Sequence, residues 1–483
     1  RGLKNARKMA ASGAPPQRLN WNVRTAMIFA PCLTVCTSIS TSAPLAAYIL
    51  LRTGSNARVG VAVGAQGIAN LAAALPAAIA GDRTSKGAVI RAAVFVGILG
   101  MAALAAAVTL LDDAAVDPQF YVICVASAVF GVFMGGHSAC VEALFADSVE
   151  TGRRSELYQK RAALKTAGNS AGPLVSMLIF WRLGNKWKKS ELESVITLGA
   201  MLFLVPASLA AFGFREHKTL GEASEAVGYA PLADAPEPGP AAAESPRAEK
   251  QPQAPFWVRR RIPLSVVAAD TLSMLGSGMT IKYFPLFFWK DCGLSPIQVN
   301  AIYAAGPLGI AASTVLAQKL SKRLGRVGAT VSTKLAGIAL LVAMTRMRDT
   351  RLVVATYVLR TWLMNCCSGL TRSVLNDYVP KAERARWNAF ESVNLFSWSG
   401  SAVLGGYLIE RSGYRATFLA TAAMQLVAVA MLASVAHLVR AEGREEDESD
   451  RPSELGYSLV GGPPLADEAD ADIEPAQAPL RPP

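Results

Sequence analysis

The chain has 483 residues, 52% of them hydrophobic and 17% charged, where soluble domains carry about 25% charged residues. Its formal net charge of +12 sits in short loops between apolar runs, a pattern that sets membrane orientation and argues against a nucleic-acid partner. The seven cysteines include no Cys-x-x-Cys pair and the three histidines are scattered, so neither a disulfide framework nor a metal or cofactor site is expected.

Residues 1–24 carry Arg1, Lys4, Arg7, Lys8, Arg18 and Arg24 without an acid, and read as a basic cytoplasmic tail or as the remnant of a targeting segment. About twelve apolar stretches follow, each near the ~20 residues that cross the ~30 Å hydrocarbon core of a bilayer. In residues 25–214 the expected spans are Thr25–Leu51, Arg58–Ala80, Ala88–Leu111, Pro118–Phe145, Arg161–Trp181 and Val195–Phe214. A polar insert over 215–262 is rich in Ala, Pro and Glu ("YAPLADAPEPGPAAAESPRAEKQPQAP") and is expected to be disordered and cytoplasmic. It is a passive linker or a carrier of phosphosites such as Ser224 and Ser245. In residues 263–439 the spans are Pro263–Trp289, Ile297–Leu320, Gly328–Met344, Leu352–Leu375, Asn388–Ile409 and Ala416–Leu438. The acidic, Pro-rich tail 440–483 again reads as disordered. The fold class is therefore an all-α membrane protein with twelve transmembrane helices in two six-helix pseudo-repeat bundles.

Arg83, Lys86, Arg91, Arg153, Arg154, Lys322, Arg323, Arg326, Lys381 and Arg384 lie in the loops on one side, which places both termini in the cytoplasm. Lys186, Lys188 and Lys189, with Arg346, Arg348 and Arg351, run against that bias.

The halves repeat one another after their fourth spans. Asp147, Val149 and Arg154 spell D-x-V-x4-R, and Asp377, Val379 and Arg384 spell it again. Matching motifs at matching positions mark structural repeats. The loop "GDRTSKG" after the second span resembles the signature G-x-x-x-D-[RK]-x-G-[RK] of the major facilitator superfamily. Asp82, Arg83 and Lys86 fill the acid and the two bases, while Ala78 and Ser85 replace the glycines. The corresponding loop "KLSKRLGR" keeps the bases without the acid. Gly276–Phe288 and Arg360–Val393 are similar to a plant and fungal group within that superfamily. The resemblance implies a secondary transporter that works by alternating access. Asp82, Arg83 and Lys86 would then form a cytoplasmic gate with Asp147, Arg153, Arg154, Asp377 and Arg384. The competing reading is that these charges only set topology and cap helix ends.

Ionisable residues inside apolar stretches are costly and normally face a bundle interior. Lys282 in the seventh span, Arg360 in the tenth, Asp270 in the seventh, and Glu142 and His137 in the fourth are the candidates for substrate and proton, together with Asn365. Thr271, Leu275, Gly278 and Lys282 share one helical stripe. Lys282 either faces the solute path or snorkels to the outer boundary. Arg360 either contacts solute or is a structural partner of Glu142 or Asp270. Gly276 and Gly278 either interrupt the seventh span or permit close packing, and "GVFMGG" (Gly131–Gly136) reads as packing. The excess of bases favours an anionic or zwitterionic small molecule, and a buried carboxyl suits a coupling proton. No hydrolase or phosphate-loop motif occurs, so the chain is not expected to be an enzyme. The expected partners are a small solute, a proton and the lipid bilayer, with the chain acting as a monomer. A pump for hydrophobic compounds and a non-transporting sensor or scaffold remain the alternatives.

Overall fold

A computed structural model describes residues 19–111, 116–149, 154–220, 256–378 and 384–439, with backbone alone at 154–155, 256–260, 372–373, 376–378 and 384–396. The first span is α1 (Trp21–Ser40) followed by α2 (Ala43–Thr53). Then come α3 (Asn56–Arg83), α4 (Lys86–Thr109), α5 (Val116–Ala146), α6 (Arg154–Leu183), and the sixth span as α7 (Lys189–Leu202) and α8 (Leu204–Gly213). The second half opens with α9 (Phe256–Ile281) and α10 (Phe284–Lys290) as the seventh span, then α11 (Pro296–Leu324) and α12 (Arg326–Arg346). The tenth span is α13 (Thr350–Asn365) with α14 (Ser368–Tyr378). Helix α15 (Arg384–Ala433) holds the last two spans and is broken at Gly413, whose φ of 81° and ψ of 169° suit glycine alone.

Among the described residues, nine helical stretches are long and apolar enough to cross a membrane, the 43-residue Ser397–Val439 among them. Two expected spans fall short for local reasons. Helix α6 carries Glu156, Lys160, Arg161 and Lys165 in its first half, and the tenth span is cut at Cys366–Cys367. Serines start several helices: Ser55 and Ser85 accept from the backbone N–H of Arg58 and Ala88, and Ser295 forms a capping box with Gln298.

Inside a bilayer, helices associate through close contact of small residues rather than through the hydrophobic effect. A Cβ at Gly131 of α5 would stand 2.2 Å from the Gln66 carbonyl oxygen of α3, and one at Gly278 of α9 would stand 2.0 Å from the Trp398 carbonyl oxygen of α15. Gly276 and Gly278 therefore do not interrupt the seventh span; they lie in continuous helix and admit the backbone of α15. The interruption is at Lys282–Tyr283, and it has a counterpart at Thr41–Ser42 in the first span. In both spans the resumed helix carries proline in its first turn, Pro285 and Pro44. Proline lacks the N–H that would close the preceding turn and disfavours helical geometry in the residue before it.

The ends of the helices define two faces. The near face holds the start of α1 and the turn between α3 and α4; the far face holds the turn between α2 and α3. Across the halves, α3 runs along α15 and α6 along α11. The contact with α15 is close over the far-face half of α3, where a Cβ at Gly60 would lie 2.5 Å from the Ala402 carbonyl oxygen and one at Gly67 2.1 Å from Ser399 Cβ. Farther along α3, Leu71 (38%) and Leu75 (69%) are exposed.

Both ends of the expected insert are described. Arg215–Leu220 is described, with a short 3-10 turn at Glu216–Lys218, and α9 already begins at Phe256. The root is held by specific bonds: the buried Asn22 amide donates to Ser148 Oγ (2.9 Å) and the Arg215 carbonyl (2.8 Å), and its Oδ1 accepts from the Arg215 N–H. The rest of the insert and the tail after 439 lie outside the described residues.

Candidate functional site

Lys282 occupies the break between α9 and α10. Its side chain lines a recess whose other polar walls, Thr41, Ser42, Gln66 and Ser127, all come from the first half of the chain. The two interrupted spans thus meet at one place, Thr41–Ser42 facing Lys282. The ammonium stands 5.4 Å from the centre of the Trp398 ring. Among the described residues no carboxylate pairs with it. The ring quadrupole attracts the cation, but it cannot replace a counter-ion.

Arg360, on α13, is buried at 6% exposure. Its guanidinium lies 5.3 Å from the centre of the Phe284 ring, the first residue of α10, so it approaches the same break from the tenth span. Its Nε has no hydrogen-bond partner, and among the described residues no acid pairs with it. Phe284 is itself packed against Tyr357 (4.6 Å) and Phe418 (4.5 Å), and the Tyr357 hydroxyl lies 3.4 Å from that of Tyr303. These aromatic rings fill packing space in the second half.

The acids expected beside Arg360 are engaged elsewhere. Asp270 lies 3.4 Å from Lys334 Nζ on α12, and Glu142 lies 2.8 Å from Arg161 on α6. Each carboxylate found a base on a neighbouring helix of its own half, which leaves Arg360 without either. His137 is buried in the first half, stacked on Phe133 at 4.3 Å and edge-on to Phe29. Its Nδ1 donates to the Phe133 carbonyl at 2.7 Å. Such full packing assigns His137 to the core. Asn365 ends α13, exposed, and its amide donates to the Thr361 carbonyl (2.8 Å).

At the near face, Lys86 pairs with Asp147 at 2.7 Å, joining the start of α4 to the end of α5 within one half. Asp82 and Arg83 are exposed and form no ion pair among the described residues. Arg153 and the side chains of Arg154, Asp377 and Arg384 lie outside the described residues. One acid of this cluster escapes a reading by composition. Glu216, in the root of the insert, accepts from Ser85 Oγ (3.1 Å) and the Gly87 N–H (2.7 Å), where a carboxylate meets the favourable end of the α4 dipole. The Leu220 N–H donates to the Asp147 carbonyl (2.9 Å).

The hydrogen bonds that join the halves, among the described residues, lie at the far face, and they were not legible as a set. Glu410 on α15 accepts from Ser55 Oγ and, at 3.0 Å, from the Ala57 N–H, so it caps α3 from the opposite half. Tyr414 donates to Asn56 Oδ1 (2.9 Å). The Tyr283 hydroxyl, in the break itself, lies 2.6 Å from the Ala402 carbonyl and 3.3 Å from that of Asn56. On the other seam, Trp187 stacks on Trp289 at 5.1 Å and donates to the Leu294 carbonyl (2.8 Å), and Asn185 accepts from the Ile297 N–H (3.0 Å). In the neighbouring turn, burial raises the Asp291 carboxyl above its ordinary value, against the opposing pull of Arg415.

The Major Facilitator Superfamily model matches residues 266–481. No curated protein matches the chain. Among solved structures, the fold is similar to a bacterial homologue of the human lysosomal transporter Spinster in an inward-facing, unoccupied conformation, with TM-score 0.61 and 13% identity over 89% of this chain and 99% of that one. It is similar to a bacterial homologue of the iron transporter ferroportin in an inward-facing state, with TM-score 0.63 and 12% identity over 86% of this chain and 98% of that one. A D-xylose–proton symporter gives TM-score 0.60 and 13% identity over 85% and 97% of the two chains. At these identities the likeness concerns the fold.

Proposed function

We propose, from the premise that this chain is a multi-pass membrane transporter of the major facilitator superfamily, that it moves a small anionic or zwitterionic solute by proton-coupled alternating access. The observation that carries the substrate class is the pair of cations at the break in the seventh span. Lys282 lines a recess shared between the halves, and Arg360 is buried over Phe284; neither has an acid partner among the described residues. An unpaired charge inside the membrane is costly, by ~2.5–3.5 kcal/mol at the centre on insertion scales, and that cost is relieved by an anionic ligand. A carboxylate or phosphate between Lys282 and the hydroxyls of the first half would contact both halves at once. Binding would then be felt by the relative position of the halves, as alternating access requires.

By the bias of Lys and Arg in its loops, the near face is cytoplasmic, with both termini and the insert on that side. The far-face bonds then seal the outside, and the conformation is inward-facing. Proton coupling is assigned to the carboxylates that hold a base in a breakable pair, Asp270 with Lys334 and Glu142 with Arg161. Protonating either acid frees its base and changes the charge of the inner helices. The gate residues Asp82 and Arg83, exposed here, are assigned to the opposite, outward-facing state, in which the near face closes.

The test is uptake by proteoliposomes containing the full chain, screened against organic anions, zwitterions and neutral solutes, with and without an imposed pH gradient. Uptake of acidic or zwitterionic solutes that falls when the gradient is collapsed is the expected result. Uptake confined to neutral solutes removes the substrate class. Gradient-independent accumulation removes the coupling.

A further inference from the structure

The tenth span contains a feature that the transport reading does not use. Cys366 and Cys367 are adjacent, free and buried, at 3% and 2% exposure. On a regular helix neighbouring side chains diverge by about 100°. Here the helix stops between α13 and α14 at these two residues, and both sulfurs turn to the same side, with Sγ atoms 3.7 Å apart. A third polar atom faces them from α12, Thr333 Oγ1, 3.3 Å from Cys367 Sγ. Ala317 of α11 and Leu370 of α14 pack against the pair. Bonds of about 2.3 Å from each sulfur to a common centre would enclose about 107° across such a gap. That angle suits a pyramidal or tetrahedral centre. A linear, two-coordinate ion would need sulfurs about 4.6 Å apart. Zinc would need further nitrogen, sulfur or carboxylate ligands, whereas the described polar side chains bonded to the thiols are the hydroxyls of Thr333 and Thr330. Soft thiolate donors select soft centres.

We propose that Cys366 and Cys367 form a dithiol site for a soft, three-coordinate centre, trivalent arsenic above all, whose capture bridges the break between α13 and α14. With phenylarsine oxide the step is C6H5AsO plus two thiols giving C6H5As(S–Cys)2 and one water. Two S–H bonds and the As=O bond break, two As–S bonds form, the protons leave on the oxide oxygen, and arsenic stays trivalent. The site is independent of the solute-binding reading, because neither cysteine belongs to the Lys282 recess.

The experiment uses the purified full chain, phenylarsine oxide at one equivalent, and peptide mapping by mass spectrometry. One phenylarsenic group per chain is expected on the peptide containing Cys366 and Cys367. It should survive excess glutathione, a monothiol, and leave with 2,3-dimercaptopropanol, because only a chelate resists monothiols. Cys366→Ser and Cys367→Ser should each lower the glutathione-resistant occupancy at least tenfold. The competing site is Cys32 with Cys36, one turn apart on α1. Mapping of the group to those residues overturns the proposal, as does an unlabelled wild type or an adduct that glutathione removes. The wild-type map decides the matter even where a serine variant folds poorly.

Discussion

Glu410→Ala should open the far face. The wild-type carboxylate accepts from the Ser55 hydroxyl and from the Ala57 N–H at 3.0 Å, both in the other half of the chain. Hydrogen bonds to a charged group contribute up to ~1.5–3 kcal/mol when buried, and much less at an exposed site. Glu410 is exposed, so the two bonds together are worth about 1–2 kcal/mol to the sealed state. That is a factor of about five to thirty in the ratio of sealed to open molecules. Glu410→Gln keeps an acceptor but loses the charge, and should fall about midway. The assay is a distance distribution by pulsed electron paramagnetic resonance between labels at Leu110 and Arg348, one far-face site in each half. The long-distance population should grow by the stated factor in the alanine variant. Superimposable distributions in all three proteins would refute the reasoning and reduce Glu410 to a surface acid.

Other outcomes follow from the packing. Gly278→Ala forces a Cβ to 2.0 Å from the Trp398 carbonyl and 2.2 Å from Ser401 Oγ; the Trp398 backbone cannot swing aside as a side chain could, so thermal unfolding in detergent should show a loss of about 1–3 kcal/mol. His137→Phe keeps the stack on Phe133 and should leave uptake within about twofold of wild type; loss of uptake in well-folded protein would return His137 to the transport path. Protease added outside sealed cells should spare the insert between Leu220 and Phe256, and cleavage there would reverse the proposed orientation.

Hydropathy made the spans readable because a bilayer imposes length and apolarity on every crossing helix. The glycines of "GVFMGG" were readable as packing for a related reason, since small residues five apart in an apolar helix have few other uses. The breaks in the first and seventh spans were not. Pro44 and Pro285 mark them, yet Pro31, Pro76, Pro173 and Pro307 all lie inside continuous helices. A proline removes one N–H; whether the helix stops there depends on what the freed backbone and the next side chains meet. The partners of Asp270 and Glu142 were equally hidden, because one sequence gives depth along a span but not which neighbour stands at that depth. Lys334, in the ninth span, reaches Asp270 on the seventh. Glu216 was lost in the averaged composition of the insert. The far-face seal joins residues 55–57 to Tyr283, Glu410 and Tyr414, all more than 200 positions away from them, and only the packed halves bring them together.

The central claim is that Lys282 and Arg360 hold the solute, and binding tests it without relying on flux. Once the proteoliposome screen has identified a transported solute, its affinity for purified wild type, Lys282→Met and Arg360→Met should be compared by isothermal calorimetry. Each variant removes the charge while keeping most of the side-chain volume. Loss of one charge-assisted contact should weaken binding by about tenfold or more for each variant, and Arg360→Lys should not restore full affinity if the guanidinium grips two oxygens. Wild-type affinity in both methionine variants would contradict the account and leave the two cations with a purely structural role.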